Sequence, residues 1–221
     1  MDQGMDLLTF ARGPALQWSL LILVFGVAWR LAGVLLLRRK VDLSEPRSAA
    51  PVAGGLRMIW ARMWPKPEFM RASIIDLALG YAFHVGLFIV VFFGLPHILF
   101  IESVTGLSWP NLPNGAVFFV GAVALAALVA LLIHRLATPV KRLLSNFDDY
   151  FSWFVTAAPL ATGLLAAAHV GARYETLLAL HILSAELLFV WLPFGKLMHT
   201  FWVFISRGAT GAAFARKGAG I

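Results

Sequence analysis

His181 and His199 lie 18 residues apart in one apolar stretch of the chain. At 3.6 residues per turn that is five whole turns, so a continuous helix points both side chains the same way, roughly 27 Å apart along its axis. A second apolar stretch carries His84 and His97. If the two stretches cross a membrane in opposite directions, His84 meets His199 at one level and His97 meets His181 at the other. Two histidines on facing helices can hold one haem iron through both axial positions. Two such pairs would stack two b-type haems across a bilayer as a path for electrons. One spacing fits poorly. His84 and His97 are separated by roughly 20 Å of rise and about 220° of rotation on an ideal helix, so a kink at Pro96 or a helix tilt is needed to re-aim His97. No carboxylate cluster accompanies the pairs, which disfavours a hard metal. The chain has no cysteine, which excludes disulfides, thiolate metal sites and protein-held iron–sulfur clusters.

The elements that must position these histidines are membrane helices. Of the 221 residues, 60% are hydrophobic and 13% charged, with a mean hydropathy of +0.82. A soluble domain is nearer half apolar and a quarter charged. The apolar runs approach the roughly 20 residues that span a bilayer. They predict an all-α integral membrane protein, one membrane domain over 1–221, with spans at about 16–37, 73–101, 115–137, 151–169 and 175–205. Residues 41–56, with Pro46, Pro51, Gly54 and Gly55, read as a loop. Residues 57–71 mix Arg57, Arg62, Lys66 and Arg71 with Trp60, Met63, Trp64 and Phe69, as a segment lying on the cytoplasmic membrane surface would. The first run is too long, and lacks a cleavage site, for a plain signal peptide.

Lys and Arg set the orientation. They cluster in 38–72, around 135–142 and after the fifth span, whereas the opposite side has only Arg12 and Arg173. The prediction is a five-helix bundle with its N-terminus outside and its C-terminus cytoplasmic, in a bacterial inner membrane. The net charge of +7 is thus a topology signal, not a nucleic-acid footprint. Trp109, Trp153 and Trp202 near span ends fit interfacial belts.

With these residues placed, the chain resembles the gamma subunit of respiratory nitrate reductase and the related cytochrome b subunits that accompany heterodisulfide-reductase-like iron–sulfur proteins. The resemblance is carried by Phe83-His84-Val85-Gly86-Leu87, by His181 followed by Pro193-Phe194-Gly195-Lys196-Leu197-Met198-His199, by Arg135-Leu136, Pro139, Arg142 and Asp148-Asp149-Tyr150-Phe151, and by Gly26 with Trp29-Arg30. It covers nearly the whole chain. The nitrate reductase pattern has the second ligand of span two ten residues after the first, which is Gly94 here. Gly94-Leu95-Pro96-His97 is more similar to the sulfur-metabolism branch. The resemblance implies two b haems, a quinol/quinone site near the outer haem and a cytoplasmic iron–sulfur subunit at the inner one.

Other residues take their expectations from this frame. Arg30 and Lys196 either pair with a propionate of the inner haem or snorkel to the interface. His169, Tyr174 and Glu186 are candidate quinone contacts, with interfacial or helix-bonding roles as the alternative. His134 is expected to be structural, Arg135 and Arg142 to anchor the topology, and Asp148 and Asp149 to cap span four. The basic segments 57–71 and 206–221 either dock a cytoplasmic partner or bind anionic lipid heads. The expected function is electron exchange between the quinone pool and a cytoplasmic iron–sulfur partner. The alternatives are a haem-free membrane anchor for a redox enzyme and a small proton-coupled transporter.

Overall fold

A computed structural model describes residues 3–38, 43–47 and 50–219. Arg39 and Lys40, part of the basic run closing the first span, lie outside the described residues. The chain is all-helical, with no strand among the described residues: α1 (Gln3–Phe10), α2 (Leu16–Leu35), α3 (Pro51–Ala61), α4 (Pro67–Phe93), α5 (Leu95–Thr105), α6 (Asn114–Ala137), α7 (Pro139–Leu144), α8 (Phe147–Ala168), α9 (Tyr174–Trp191) and α10 (His199–Lys217). Five helical runs are long and apolar enough to cross a membrane: Asp6–Leu35, Pro67–Phe93, Asn114–Ala137, Phe147–Ala168 and Tyr174–Trp191. Large apolar side chains on them, such as Phe25, Trp29 and Phe119, face outward, as lipid contact requires. These features are compatible with a multi-pass membrane protein.

Prolines set where the helices stop. The second apolar stretch was expected to run to 101, but α4 ends at Phe93 and α5 starts after an extended Gly94. Proline has no N–H, and its ring clashes with the carbonyl four residues earlier. For Pro96 that carbonyl is Phe92's. It accepts the Trp109 indole N–H at 2.5 Å instead. The Phe93 carbonyl, which His97 would have used in a continuous helix, accepts the Leu112 N–H at 3.0 Å. The freed groups are thus paired from the following loop, which makes a full break stable.

The fifth stretch breaks in the same way. It was expected to continue to 205, but α9 ends at Trp191, and Pro193, fully buried, sits in a turn before a short 3₁₀ segment, Lys196–Met198. His199 therefore opens a separate helix, α10. The five-turn relation between His181 and His199 does not hold, because it required one continuous helix. The first long run starts earlier than expected, at Asp6, and carries a wider turn at Ala11–Ala15 where Gly13 leaves helical geometry beside Pro14. Residues 57–71 comprise the end of α3, a turn and the start of α4. The expected loop 41–56 is helical from Pro51, the favoured first position for proline.

The chain divides into two compact units. The first comprises 1–22 and 74–191. Its core joins α4, α6 and α8 through Phe83, Ala124, Ala127, Leu128, Ala157 and Leu160. A Cβ on Gly86 would stand 2.8 Å from the Ala124 Cβ, so only glycine permits this approach of α4 to α6. α1 packs on α9 through Leu8, Ala11 and Ala179. Asn146 caps α8 by accepting the Asp149 N–H, and Asp149 in turn accepts the Asn146 N–H.

The second unit comprises 23–73 and 192–221. Its α3 and α10 run antiparallel along a seam of small residues. A Cβ on Gly55 would stand 2.8 Å from the Gly208 carbonyl oxygen, and one on Gly54 equally close to that of Gly211. Close backbone approach through small residues is the usual basis of helix association in lipid. In the same unit, Gly26 of α2 leaves room for Pro193, whose ring carbons would stand 2.7 and 2.8 Å from a Cβ there.

Gly54→Leu should destabilise the protein by about 1–3 kcal/mol through overpacking. Gly208→Ala, whose Cβ meets only Ile59 at an ordinary 3.6 Å, should leave the thermal unfolding midpoint nearly unchanged. Trp109→Phe strands the Phe92 carbonyl and should cost about 1–3 kcal/mol, read as a lower unfolding midpoint in the same assay.

Candidate functional site

In the first unit, the break at Gly94 aims His97. The His97 Nδ1 lies 2.8 Å from the carbonyl oxygen of Val90, seven residues back on α4. The short α5 also removes the difficulty of a common face on one helix, because His84 and His97 occupy different helices. His181, on α9, is held by α8: its Nδ1 lies 3.0 Å from the Pro159 carbonyl oxygen. Thr162 bonds Ser184 at 3.0 Å beside it. Gly163 of α8 lies against the ring, where a Cβ would stand 3.0 Å from Cε1. A glycine there lets α8 lie flush on the imidazole.

These supports bring the two rings together, with centroids 5.9 Å apart and planes inclined by 47°. In each ring the Nδ1 faces a carbonyl, so Nδ1 carries the proton and Nε2 keeps its lone pair. This is the usual way a protein fixes the tautomer of a ligating histidine. With metal–nitrogen bonds of about 2 Å, two imidazoles sharing one ion place their centroids roughly 6 Å apart. The spacing is of the size that two imidazoles sharing one metal ion would have. Among the described residues no group of three or more His, Asp or Glu side chains gathers as a metal site. The donor set here is two imidazoles, which suits haem iron, since its porphyrin supplies the remaining ligands.

Further residues of this unit lie along α8 and α9. His169 ends α8 in a left-handed conformation, with φ of 55°, and its ring stacks on Tyr174 at 5.0 Å and 17°. Tyr174 opens α9, two turns and roughly 10 Å along the axis from His181. Glu186 is buried on the same helix, and its Oε1 has no hydrogen-bond partner among the described residues. His84, on α4, directs Nδ1 to the Gly80 carbonyl at 2.7 Å and meets Phe83 edge-on.

The second unit holds His199, Lys196 and Arg30. The His199 Nδ1 lies 2.9 Å from the Lys196 carbonyl oxygen. Arg30 lines a cavity of about 290 Å³ together with Trp29, Gly33, Val34 and Trp202. Trp202 follows His199 by one helical turn. Gly26 thus meets Pro193, and Arg30 shares a cavity with the indoles of Trp29 and Trp202. His84 belongs to the first unit and His199 to the second.

One cluster was not anticipated as a cluster. His134, expected to be structural, bonds Asp76 at 3.2 Å and Lys141 at 3.1 Å, and Lys141 also pairs with Asp76. Asp76 had no distinguishing sequence signal beyond being a carboxylate in an apolar run, since its partners lie 58 and 65 residues away. Arg135 bonds Ser145 and Asp149, so it ties α6 to the cap of α8. Trp153, expected in an interfacial belt, donates its indole N–H to the Leu128 carbonyl.

No family model and no solved structure matches this chain. A protein of Nitratidesulfovibrio vulgaris is 32% identical over 218 residues, which is 96% of this chain and 95% of that protein. Its name states no activity. The chain belongs to the same family as this Nitratidesulfovibrio vulgaris protein.

Proposed function

We propose that the chain is a membrane cytochrome b subunit of a respiratory redox complex, similar to the nitrate reductase gamma subunit and its sulfur-metabolism relatives. It crosses a bacterial inner membrane five times, N-terminus outside and C-terminus inside. It exchanges electrons between quinol or quinone near the outer face and a cytoplasmic iron–sulfur subunit. The observation that carries this reading is the His97–His181 pair, two imidazoles 5.9 Å apart on separate helices with both Nδ1 atoms facing backbone carbonyls.

His97 and His181 hold the outer haem, and His84 and His199 the inner one, the latter pairing resting on their places in the sequence. Haem supplies reversible one-electron chemistry. The chain supplies the rest. Val90 and Pro159 fix the ligand tautomers, Gly163 gives the His181 ring its space, and apolar helix faces exclude water. Arg30 and Lys196 balance propionate charge at the inner site. The stacked His169–Tyr174 pair, two turns from His181, offers a flat aromatic face and two polar groups to a quinone ring. Glu186, a buried carboxyl roughly 18 Å along α9 from Tyr174, would receive a quinol proton only through intervening groups.

Purified protein should show a reduced b-type absorption spectrum with about two haems per chain, as two bis-histidine pairs require. His181→Ala and His97→Ala should each remove the same haem and leave about one per chain. His199→Ala should remove the other. Folded protein that contains no haem would refute the proposal and favour a haem-free anchor. Retention of both haems in His97→Ala would refute the outer pairing.

A further inference from the structure

The seam between α3 and α10 ends in a cavity of about 270 Å³, lined by Met58, Arg62, Ser206, Arg207, Thr210 and Phe214. It lies wholly within the second unit. A water molecule takes about 30 Å³ of liquid volume, so the space admits a polar headgroup. Two guanidinium groups and two hydroxyls share its wall. Among the described residues the Arg207 Nη1 donates to a thioether, Met63 Sδ at 3.6 Å, which is a weak acceptor. Neither Arg62 nor Arg207 enters an ion pair among the described residues. A pair of arginines without a carboxylate, beside the Thr210 hydroxyl, is a donor set that recognises a phosphate ester, while the Ser206 hydroxyl donates to the Val203 carbonyl.

We propose that this cavity binds the phosphate headgroup of an anionic phospholipid. The surroundings favour a lipid over a soluble phosphate. Met58 and Phe214 give the cavity an apolar wall beside its cationic one. Trp60 and Trp64, on either side of Arg62, are 72% and 61% exposed, as indoles at a lipid headgroup level are. Val52 and Leu56 continue the exposed apolar face of Trp60 along α3. Backbone contact at Gly54, Gly55, Gly208 and Gly211 closes the seam, and Arg62 and Arg207 wall the cavity beyond it. The proposal is independent of haem binding.

The test uses the full chain in detergent, stripped of native lipid, with lipid adducts counted by native mass spectrometry. Dioctanoyl phosphatidylglycerol should bind at least about tenfold more tightly than dioctanoyl phosphatidylcholine, the effect of about one good charged contact. Arg62→Gln with Arg207→Gln should abolish that preference. Should that variant fail to fold, Ser206→Ala with Thr210→Val keeps both charges and should weaken the preference several-fold. Equal binding of the two lipids, or an unchanged preference in whichever of these variants folds, overturns the proposal. Inorganic phosphate that displaces phosphatidylglycerol at equal concentration assigns the site to a soluble anion and overturns the lipid source. A copurifying polypeptide lost from the arginine variant while lipid preference persists assigns the arginines to protein docking, with the same consequence.

Discussion

Inside hydrocarbon a backbone carbonyl has to find its donor within the protein, because water is absent and an unpaired group costs several kcal/mol. This chain places prolines in or beside its apolar stretches, and each disturbs the hydrogen bonding of the turn before it. The pairing of the carbonyls near them shapes the rest. The Phe92 carbonyl takes the Trp109 indole and the Phe93 carbonyl takes the Leu112 N–H. Val90 and Pro159 use their carbonyl oxygens to hold His97 and His181. Backbone carbonyls of α4 and α8 thus hold Nδ1 of His97 and of His181, and the two rings lie 5.9 Å apart.

This linkage explains which parts of the molecule were legible in the sequence. The five apolar runs are visible because bilayer thickness imposes a length that composition alone reveals. Their ends are less visible. Pro96 reads as a kink within a helix and Pro193 lies inside an expected span, but the helix ends just before each of them. The difference depends on partners such as Trp109 and Leu112, which lie in a following loop and carry no local signature. The pairing of His97 with His181 was expected from topology, although an ideal helix put His97 on the wrong face. A separate α5 removes that misfit. Conversely, the appealing 18-residue spacing of His181 and His199 lost its geometric meaning when α9 ended at Trp191.

The glycine seam shows the other limit. Gly54 and Gly55 read as loop residues because glycine is a poor helix former. In lipid the same residues favour helix association, provided that matching small residues lie opposite. Gly208 and Gly211 are that match, more than 150 positions away in the sequence. Asp76 was missed for a similar reason, since His134 and Lys141 give it meaning only in three dimensions. Long-range partnership, not local propensity, separates the readable features from the hidden ones.

The central claim is that His97 and His181 share one haem iron. It is tested most directly by an anomalous difference map at the iron absorption edge from crystals of the purified protein. The account predicts a single strong peak between the two rings, within bonding distance of both Nε2 atoms. A map with the two rings in place and no iron between them would contradict it.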